Sequence, residues 1–554
     1  MQTNLMNRQL IYCLLLIGLS FPAVTNAQTI HRKQLDSLLV TLAKPTGPGL
    51  SVAIWQHGKL KYDRSAGLAD IAALRKNTPF TPFNIASTSK QFTAAAIYIL
   101  ADRGKLSTDD KLSKYFPDFP AYADSITIAH LIHHQSGLRD LNALIWLRDM
   151  DENSAYTDSI VYNVLVKQHS LNFSPGTQFS YSNSGYFLLS LIVKKVSGQD
   201  LAEFTYRNIF KPLKMDQTAF SRTHQVKNKA NGYVVSGDTF VVSNLRNAII
   251  GSSNIYSMIY DFGPWFREMA NHKLLGEAVW KKMLTPAATT SGEVTRYAGG
   301  LSISNYRGDD MVSHGGDLSG YHSGMFHLPK RGVDIIVMGN HDQIYGSAVF
   351  RAIYELWFPT PKPLAGAVTV QPVIVDTAAF TGIYTAVKDS ILSVGFSISD
   401  GKIMLKQYWN NEEYAVVAIS DSTLAVEADK AIQFVFGQLV NNKAGEMTLL
   451  QDGNRTVFKR TDRAVTTDHK TTEEYIGRYY SPEIEAYYEL LLEEGALKVL
   501  IGEGKYGMVN TGAKDSFIVP ANGLEVKFTR NDQAKVTGFT LIHVRVNGLT
   551  FKKQ

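Results

Sequence analysis

The sequence predicts a mixed α/β (α+β) domain built on an antiparallel sheet, followed by two small all-β units. Three observations predict it. From about Gln28 to Phe358, helical and strand patterns alternate, with strands at both ends and helices between. Pro359, Pro361, Pro363 and Pro372 then make a stiff extended stretch. Beyond it the chain is almost all strand and turn, and it repeats. Gly382 of "FTGIY" matches Gly477 of "YIGRY", 95 residues on. Gly401 matches Gly495 at 94, Gly445 matches Gly538 at 93, and Phe458 of "VFKR" matches Phe551 of "TFKK" at 93. A nearly constant offset over four anchors marks a duplicated unit of a size suited to small barrels or sandwiches.

In chain order, the N-terminus reads as a secretory leader. Arg8 precedes an apolar run from Leu10 to Leu19, and Thr25 and Ala27 stand at −3 and −1 of a cut before Gln28. That run is short for a membrane span. A periplasmic or secreted location follows, with no membrane span after leader removal. Cys13, the only cysteine, lies inside the leader, so the mature chain has no disulfide, thiol nucleophile or Cys-ligated metal. "GLSVAIWQHGKLKYDRSAG" reads as a hairpin turning at His57-Gly58, and "SKQFTAAAIYILADRG" as a helix ended by Gly104. "GYFLLSLIVKKVSG" is a second helix, closed by Gly198. "GYHSGMFHLPKRGVDIIVMGN" is another hairpin and "SAVFRAIYELWF" a last helix. The expected organisation is therefore a leader (1–27), a mixed α/β domain (28–358), a linker (359–375), a β unit (376–462), a polar linker (463–474) and a second β unit (475–554).

The chain is 554 residues long, 45% hydrophobic and 19% charged, with a formal net charge of +6 spread without clusters. Nothing in that pattern points to nucleic acid. There is no P-loop, no His-Glu-x-x-His and no Gly-x-Ser-x-Gly elbow. No metal-ligand spacing is visible either, and no cofactor is expected.

Three short stretches can carry chemistry. In "FNIASTSKQF", Ser87 and Lys90 are three apart at a helix start, so they share a face while Ser89 points elsewhere. Free N–H groups at a helix start can meet a developing oxyanion, and a desolvated lysine can take a serine's proton. A helix cap with an outward-reaching lysine would explain the pair equally well. A second Ser-x-x-Lys, Ser399 to Lys402, falls on a hairpin turn with Asp400-Gly401 at its tip and would not share a helix face. In "FSPGTQFSYSNSGYFLL", Tyr181 and Asn183 lie on a Gly- and Ser-rich loop just before a helix and can present a phenol and an amide to one cavity. The same spacing recurs at Tyr408-Trp409-Asn410. In "MVSHGGDLSGYHSGMF", Gly315 and Gly316 let a substrate backbone lie along the strand edge. There His314 can donate to a carboxylate or assist proton transfer.

Together, in this order and 94 and 133 residues apart, the three motifs resemble the serine β-lactamase and penicillin-binding protein superfamily. The likeness is to the branch with class C β-lactamases, DD-peptidases, D-aminopeptidases and related esterases. It runs from about Asp36 to Phe358 and includes "LIHHQSGL", "GSSNIYSMIYDF" and "YAGGL". The resemblance implies Ser87 as acylated nucleophile, Lys90 as its base and Tyr181 as proton relay. Asn183 would orient substrate and Lys90, His314 with Gly315 and Gly316 would bind substrate, and the backbone N–H groups of Ser87 and Asp317 would form the oxyanion hole. His133 and His134 match a structural segment and stay outside the implied site. His in the third motif, where class C β-lactamases carry Lys, is typical of peptidase- and esterase-like members.

The β units resemble the lipocalin-like barrels behind such domains, which can narrow the active-site mouth or mediate homodimer contacts. The function implied is a metal-independent serine hydrolase acting on small peptides or amides with D-residues, or on small esters. The alternatives are a penicillin-recognising sensor with little turnover and a weak β-lactamase. The motifs all precede Phe358, so the barrels are expected to shape specificity rather than perform chemistry.

Overall fold

The computed structural model describes residues 22–149, 156–221, 226–237, 239–243, 249–358, 377–387, 393–399, 401–407, 413–427, 429–440, 442–451, 454–460, 473–510, 514–519, 521–543 and 545–554. The proline-rich stretch, most of the leader and Tyr408-Trp409-Asn410 lie outside them. Helix α1 (Pro22–Leu42) runs through the Ala27–Gln28 junction, and its packed residues Leu35 and Leu39 lie beyond that point.

The first domain is built on a six-stranded antiparallel sheet. Its strands are β1 (Leu50–Gln56), β2 (Lys59–Ala66), β3 (Ser302–Tyr306), β4 (Asp309–Leu318), β5 (Tyr321–Leu328) and β6 (Val333–Gly339). They lie in the order β3-β4-β5-β6-β1-β2. The two chain ends meet in the middle, where β1 pairs with β6 from Leu50↔Gly339 to Gln56↔Val333. Strands β1 and β6 are buried on both faces, which is why they read as continuous apolar runs. Alternate residues serve different cores. Val52, Ile54, Ile335 and Val337 face a layer with Leu35, Leu39, Phe350 and Ile353, from α1 and a last helix at Gly346–Trp357. Ala53, Trp55, Ile336 and Met338 face the helical lobe.

At the centre of that lobe is α2 (Lys90–Asp102), whose residues from Lys90 to Leu100 are all buried. A helix apolar on every side is the pattern of one enclosed by protein. Gly104 takes φ 65° just past its end. Helix α3 (Leu141–Asp149) follows, then α4 (Asn183–Ser197), closed by Gly198 at φ 74°. Helix α4 starts two residues before the expected Gly185, so Asn183 is its first residue rather than a loop residue.

The first β unit is a closed eight-stranded barrel between Gly382 and Arg460, filled by residues such as Tyr384, Phe396, Phe434 and Phe458. In it, Ser399 and Lys402 face each other across a hairpin, as expected for a pair that shares no helix. The second β unit is a nine-stranded antiparallel sheet. Its two edge strands, Gly504–Gly507 and Val509–Asn510, are successive in the chain, so the sheet curls almost to closure. Its last two strands are β7 (Val536–His543) and β8 (Val546–Lys553).

The second unit is not a free appendage. Its core is continuous with that of the helical lobe. Arg139 and Glu483 form an ion pair at 2.6 Å, with side chains 0% and 1% exposed. Tyr488 donates to the Leu147 carbonyl (2.8 Å), Trp146 stacks on His543 (4.8 Å), and Asn172 bonds both Arg545 and Asn547.

Candidate active site

Ser87 lies in a 3₁₀ turn, Ala86–Ser89, that leads directly into α2. Ala86 is held at φ 46°, a conformation costing a residue with Cβ roughly 1–2 kcal/mol. The Asn84 side chain supports it by accepting the Ala86 N–H at 2.9 Å. The turn aims Ser87 outward and its neighbours inward. Ser89 is buried and accepts the Ile255 N–H (3.2 Å), and Thr88 bonds Ser323 (2.8 Å). Ser87, unlike its flanking residues Ala86, Thr88 and Ser89, is partly exposed.

Lys90, one helical turn on, is fully buried. Its Nζ contacts Ser87 Oγ at 3.0 Å, Asn183 Oδ1 at 2.8 Å and the Ser252 carbonyl at 2.8 Å. Burial holds its pKa well below the ordinary lysine value; Asp140 opposes that effect and Arg545 adds to it. A neutral amine has two N–H donors and one lone pair. Two of the three partners are carbonyl oxygens, which can only accept. When the amine is neutral, its lone pair is free for the third, the Ser87 hydroxyl, which can then donate. In that state the amine can accept the Ser87 proton.

The groups around Lys90 are fixed from behind. Gly251 sits at φ 104°, where a Cβ would lie 2.4 Å from the Tyr186 carbonyl; only glycine lets this loop bring Ser252 against Lys90. Asn183 is oriented by Asp140, whose Oδ2 accepts both the Asn183 N–H (2.6 Å) and its Nδ2 (3.0 Å). With the amide nitrogen committed there, Oδ1 must face Lys90.

The Tyr181 ring lies 4.7 Å from Lys90 Nζ, on the Ser87 side of the site. Burial raises its pKa above the ordinary phenol value, so it rests as a neutral phenol that can donate. His134 packs against it at 4.2 Å between ring centroids, and His134 Nδ1 accepts the Ser182 N–H at 3.1 Å. His134, read from sequence as outside the site, thus forms part of its wall.

His314 lies on β4, opposite the Ala86–Ser89 turn. Burial, reinforced by Lys90, lowers its pKa to about 4, so the ring is neutral at ordinary pH. Nδ1 faces the Gly315 carbonyl (2.5 Å), which can only accept; the ring proton is therefore on Nδ1, and Nε2 accepts from Tyr297 Oη at 2.8 Å. Both nitrogens are committed, so in this arrangement His314 is not the carboxylate donor read from sequence.

The ladder between β3 and β4 ends at Ser302↔Ser313. Beyond it, that edge of β4 pairs with no strand among the described residues. A Cβ on Gly315 would meet nothing nearer than 4.0 Å, whereas one on Gly316 would lie 2.3 Å from the Ile85 carbonyl. Gly316 thus lets the strand lie against the turn that carries Ser87, while Gly315 borders open space. The Asp317 carboxylate pairs with His322 (2.5 Å), leaving its backbone N–H as what it can offer the site.

A family model described as Beta-lactamase matches residues 36–356. The chain belongs to the beta-lactamase family. Within it, the chain is 28% identical over 348 residues to penicillin-binding protein 4* of Bacillus subtilis (strain 168), covering 60% of this chain and 77% of that one. It is 25% identical over 496 residues to a D-aminopeptidase of Gluconobacter oxydans (strain 621H), covering 86% and 89%. The second match is longer than the catalytic domain and must enter the β units. The fold is also that of the octameric penicillin-binding protein homologue from Pyrococcus abyssi (TM-score 0.54, 21% identity, 79% of this chain and 100% of that one). This member of the beta-lactamase family is a serine hydrolase.

The structure brings Ser87, Lys90, Tyr181 and Asn183 together and places His314, Gly315 and Gly316 on the facing strand. Sequence reading missed Asp140, Tyr297, Ser252 and His134, which hold those groups. It also missed Arg545 of the second β unit, whose guanidinium lies 5.1 Å from the Tyr181 ring centroid.

Proposed function

We propose that this beta-lactamase family member hydrolyses small peptides or amides containing D-residues, with small esters next, through an acyl-enzyme on Ser87. The observation that carries this is the buried Lys90 amine, whose lone pair is left for the Ser87 hydroxyl. Ser87 Oγ attacks the substrate carbonyl as its proton passes to Lys90. The oxyanion meets the backbone N–H groups of Ser87 and Asp317. Tyr181, beside both Ser87 and Lys90, relays the proton to the departing amine or alkoxide. Water then attacks the ester, its proton returns through the same pair, and Ser87 is released with the carboxylic acid. The length of the D-aminopeptidase match, which extends into the β units, supports the D-residue preference. The same reading places the protein in the periplasm or outside the cell after leader cleavage before Gln28. Among the described residues, no helix is long and apolar enough to cross a membrane.

The test is intact mass after a fluorophosphonate, with peptide mapping, beside turnover of D-amino acid amides, p-nitrophenyl esters and a chromogenic cephalosporin. One adduct on Ser87 and multiple turnover of a D-amide are expected. Labelling without turnover of any substrate would instead make the protein a penicillin-recognising sensor, and an adduct on Ser89 or Ser399 would overturn the site.

A further inference from the structure

The turn between β7 and β8 carries Arg545 in the left-handed region, at φ 63°. Its backbone carbonyl is gripped from the catalytic domain by the Asp140 N–H (3.1 Å) and Asn172 Nδ2 (2.9 Å). The side chain of this half-buried residue reaches the Tyr181 ring, 5.1 Å from its centroid. Two other arginines are spent on structure. Arg530 pairs with Glu474 and Asp515, and Arg139 with Glu483. Arg545 differs: among the described residues its guanidinium forms no ion pair and donates no hydrogen bond. The nearby carboxylate of Asp140 is occupied by the backbone of Asn142 and Ala143 and by Asn183. Arg545 is a fixed positive charge beside Tyr181. Five N–H donors held in a rigid fork with no protein acceptor fit a planar oxyanion.

We propose that Arg545 is a specificity-determining residue of the active site, selecting substrates that carry a carboxylate close to the scissile bond on the Tyr181 side. The second β unit then does more than cover the mouth: it supplies one of the groups that substrate meets. The cation costs little to maintain, because it lies over the Tyr181 ring and the residue is only half-buried. An ammonium at the same place would be repelled, so the charge preference has a sign. The inference rests on the acyl-enzyme reading above and deepens it to a substrate class.

The experiment compares kcat/KM within matched pairs on the full-length protein. One pair is a D-alanyl dipeptide ending in carboxylate or carboxamide; the other is D-glutamyl against D-glutaminyl amide. The wild type should prefer the carboxylate member of at least one pair by about 10-fold or more, the scale of a charge-assisted hydrogen bond. Arg545→Gln should bring that ratio close to one, and Arg545→Glu should invert it. Ratios within a pair cancel any general loss of activity, and melting curves confirm that each variant is folded. Absence of a preference in both wild-type pairs, or a preference that survives Arg545→Glu, overturns the inference. Failure of fluorophosphonate to label Ser87 in the wild type would overturn the acyl-enzyme reading first, and this inference with it.

Discussion

Replacing Glu483 by Gln should loosen the second β unit from the catalytic domain. The carboxylate accepts from Arg139 (2.6 Å), the His169 N–H (3.0 Å) and the Thr550 hydroxyl (2.9 Å). Glutamine keeps the volume but removes the charge, leaving the Arg139 guanidinium buried with neutral partners only: Gln168, Ser170 and the Asn547 carbonyl. Removing one partner of a buried pair costs about 3–5 kcal/mol, because the other charge stays uncompensated. That is a large share of a folding free energy of roughly 5–15 kcal/mol. Trp146, stacked on His543 across the interface, offers a fluorescence signal, and proteolysis of 475–554 offers a second readout. Both should report release at lower denaturant in Glu483→Gln. The double variant Arg139→Met/Glu483→Leu should recover most of the loss, since it leaves no buried charge. The pH dependence has a definite sign. Burial alone would raise the Glu483 pKa, but Arg139 and the hydrogen bonds outweigh it and the value is lowered. A lowered carboxylate contributes stability above its unfolded value of about 4.3, and loses it as pH falls through the folded value. The unit should therefore detach only in acid, as pH falls below the unfolded carboxylate value toward the lowered folded one. A single-variant cost under about 1 kcal/mol, typical of exposed pairs, would refute the claim that this pair holds the interface.

Three further outcomes are expected. Lys90→Ala should lower the acylation rate by about 10²-fold or more, measured as fluorophosphonate labelling, whereas a lysine that only capped the helix would leave it near wild type. Asp140→Asn should lower kcat/KM by roughly 10–100-fold, because losing a charge-assisted bond worth about 1.5–3 kcal/mol frees the Asn183 amide to turn. Activity should persist in excess EDTA, and loss that zinc restores would contradict the mechanism.

Much of this site can be read from the sequence because its central contacts are local. Ser87 and Lys90 are one helical turn apart, and the rival pair Ser399 and Lys402 is visibly a hairpin. The sheet is legible too, since its hairpins carry turn residues such as His57 and Gly58, both at positive φ. What stays hidden is what acts at long range. Asp140 meets Asn183 across 43 residues with no motif of its own, and its bond to the Asn183 N–H is what starts α4 there rather than at Gly185. His134 looks like a loop histidine until Tyr181 is folded onto it. Arg545 reads as an ordinary turn residue in a repeated β unit. The proline-rich stretch suggests a severable tail, whereas the shared core and the buried Arg139–Glu483 pair show that the second unit is packed into the catalytic domain.

The central claim is that Lys90 rests as a neutral base on Ser87, and the pH dependence of pre-steady-state acylation tests it most directly. Acylation needs the unprotonated amine, so its rate follows that fraction. A strongly lowered pKa predicts a rate already on its plateau at neutral pH, unchanged toward pH 9, and falling only on the acid side as Lys90 takes a proton. His314, at about 4, titrates below that range. A rate that instead climbs about tenfold per pH unit through pH 7 to 10 would show Lys90 charged at rest and contradict the account.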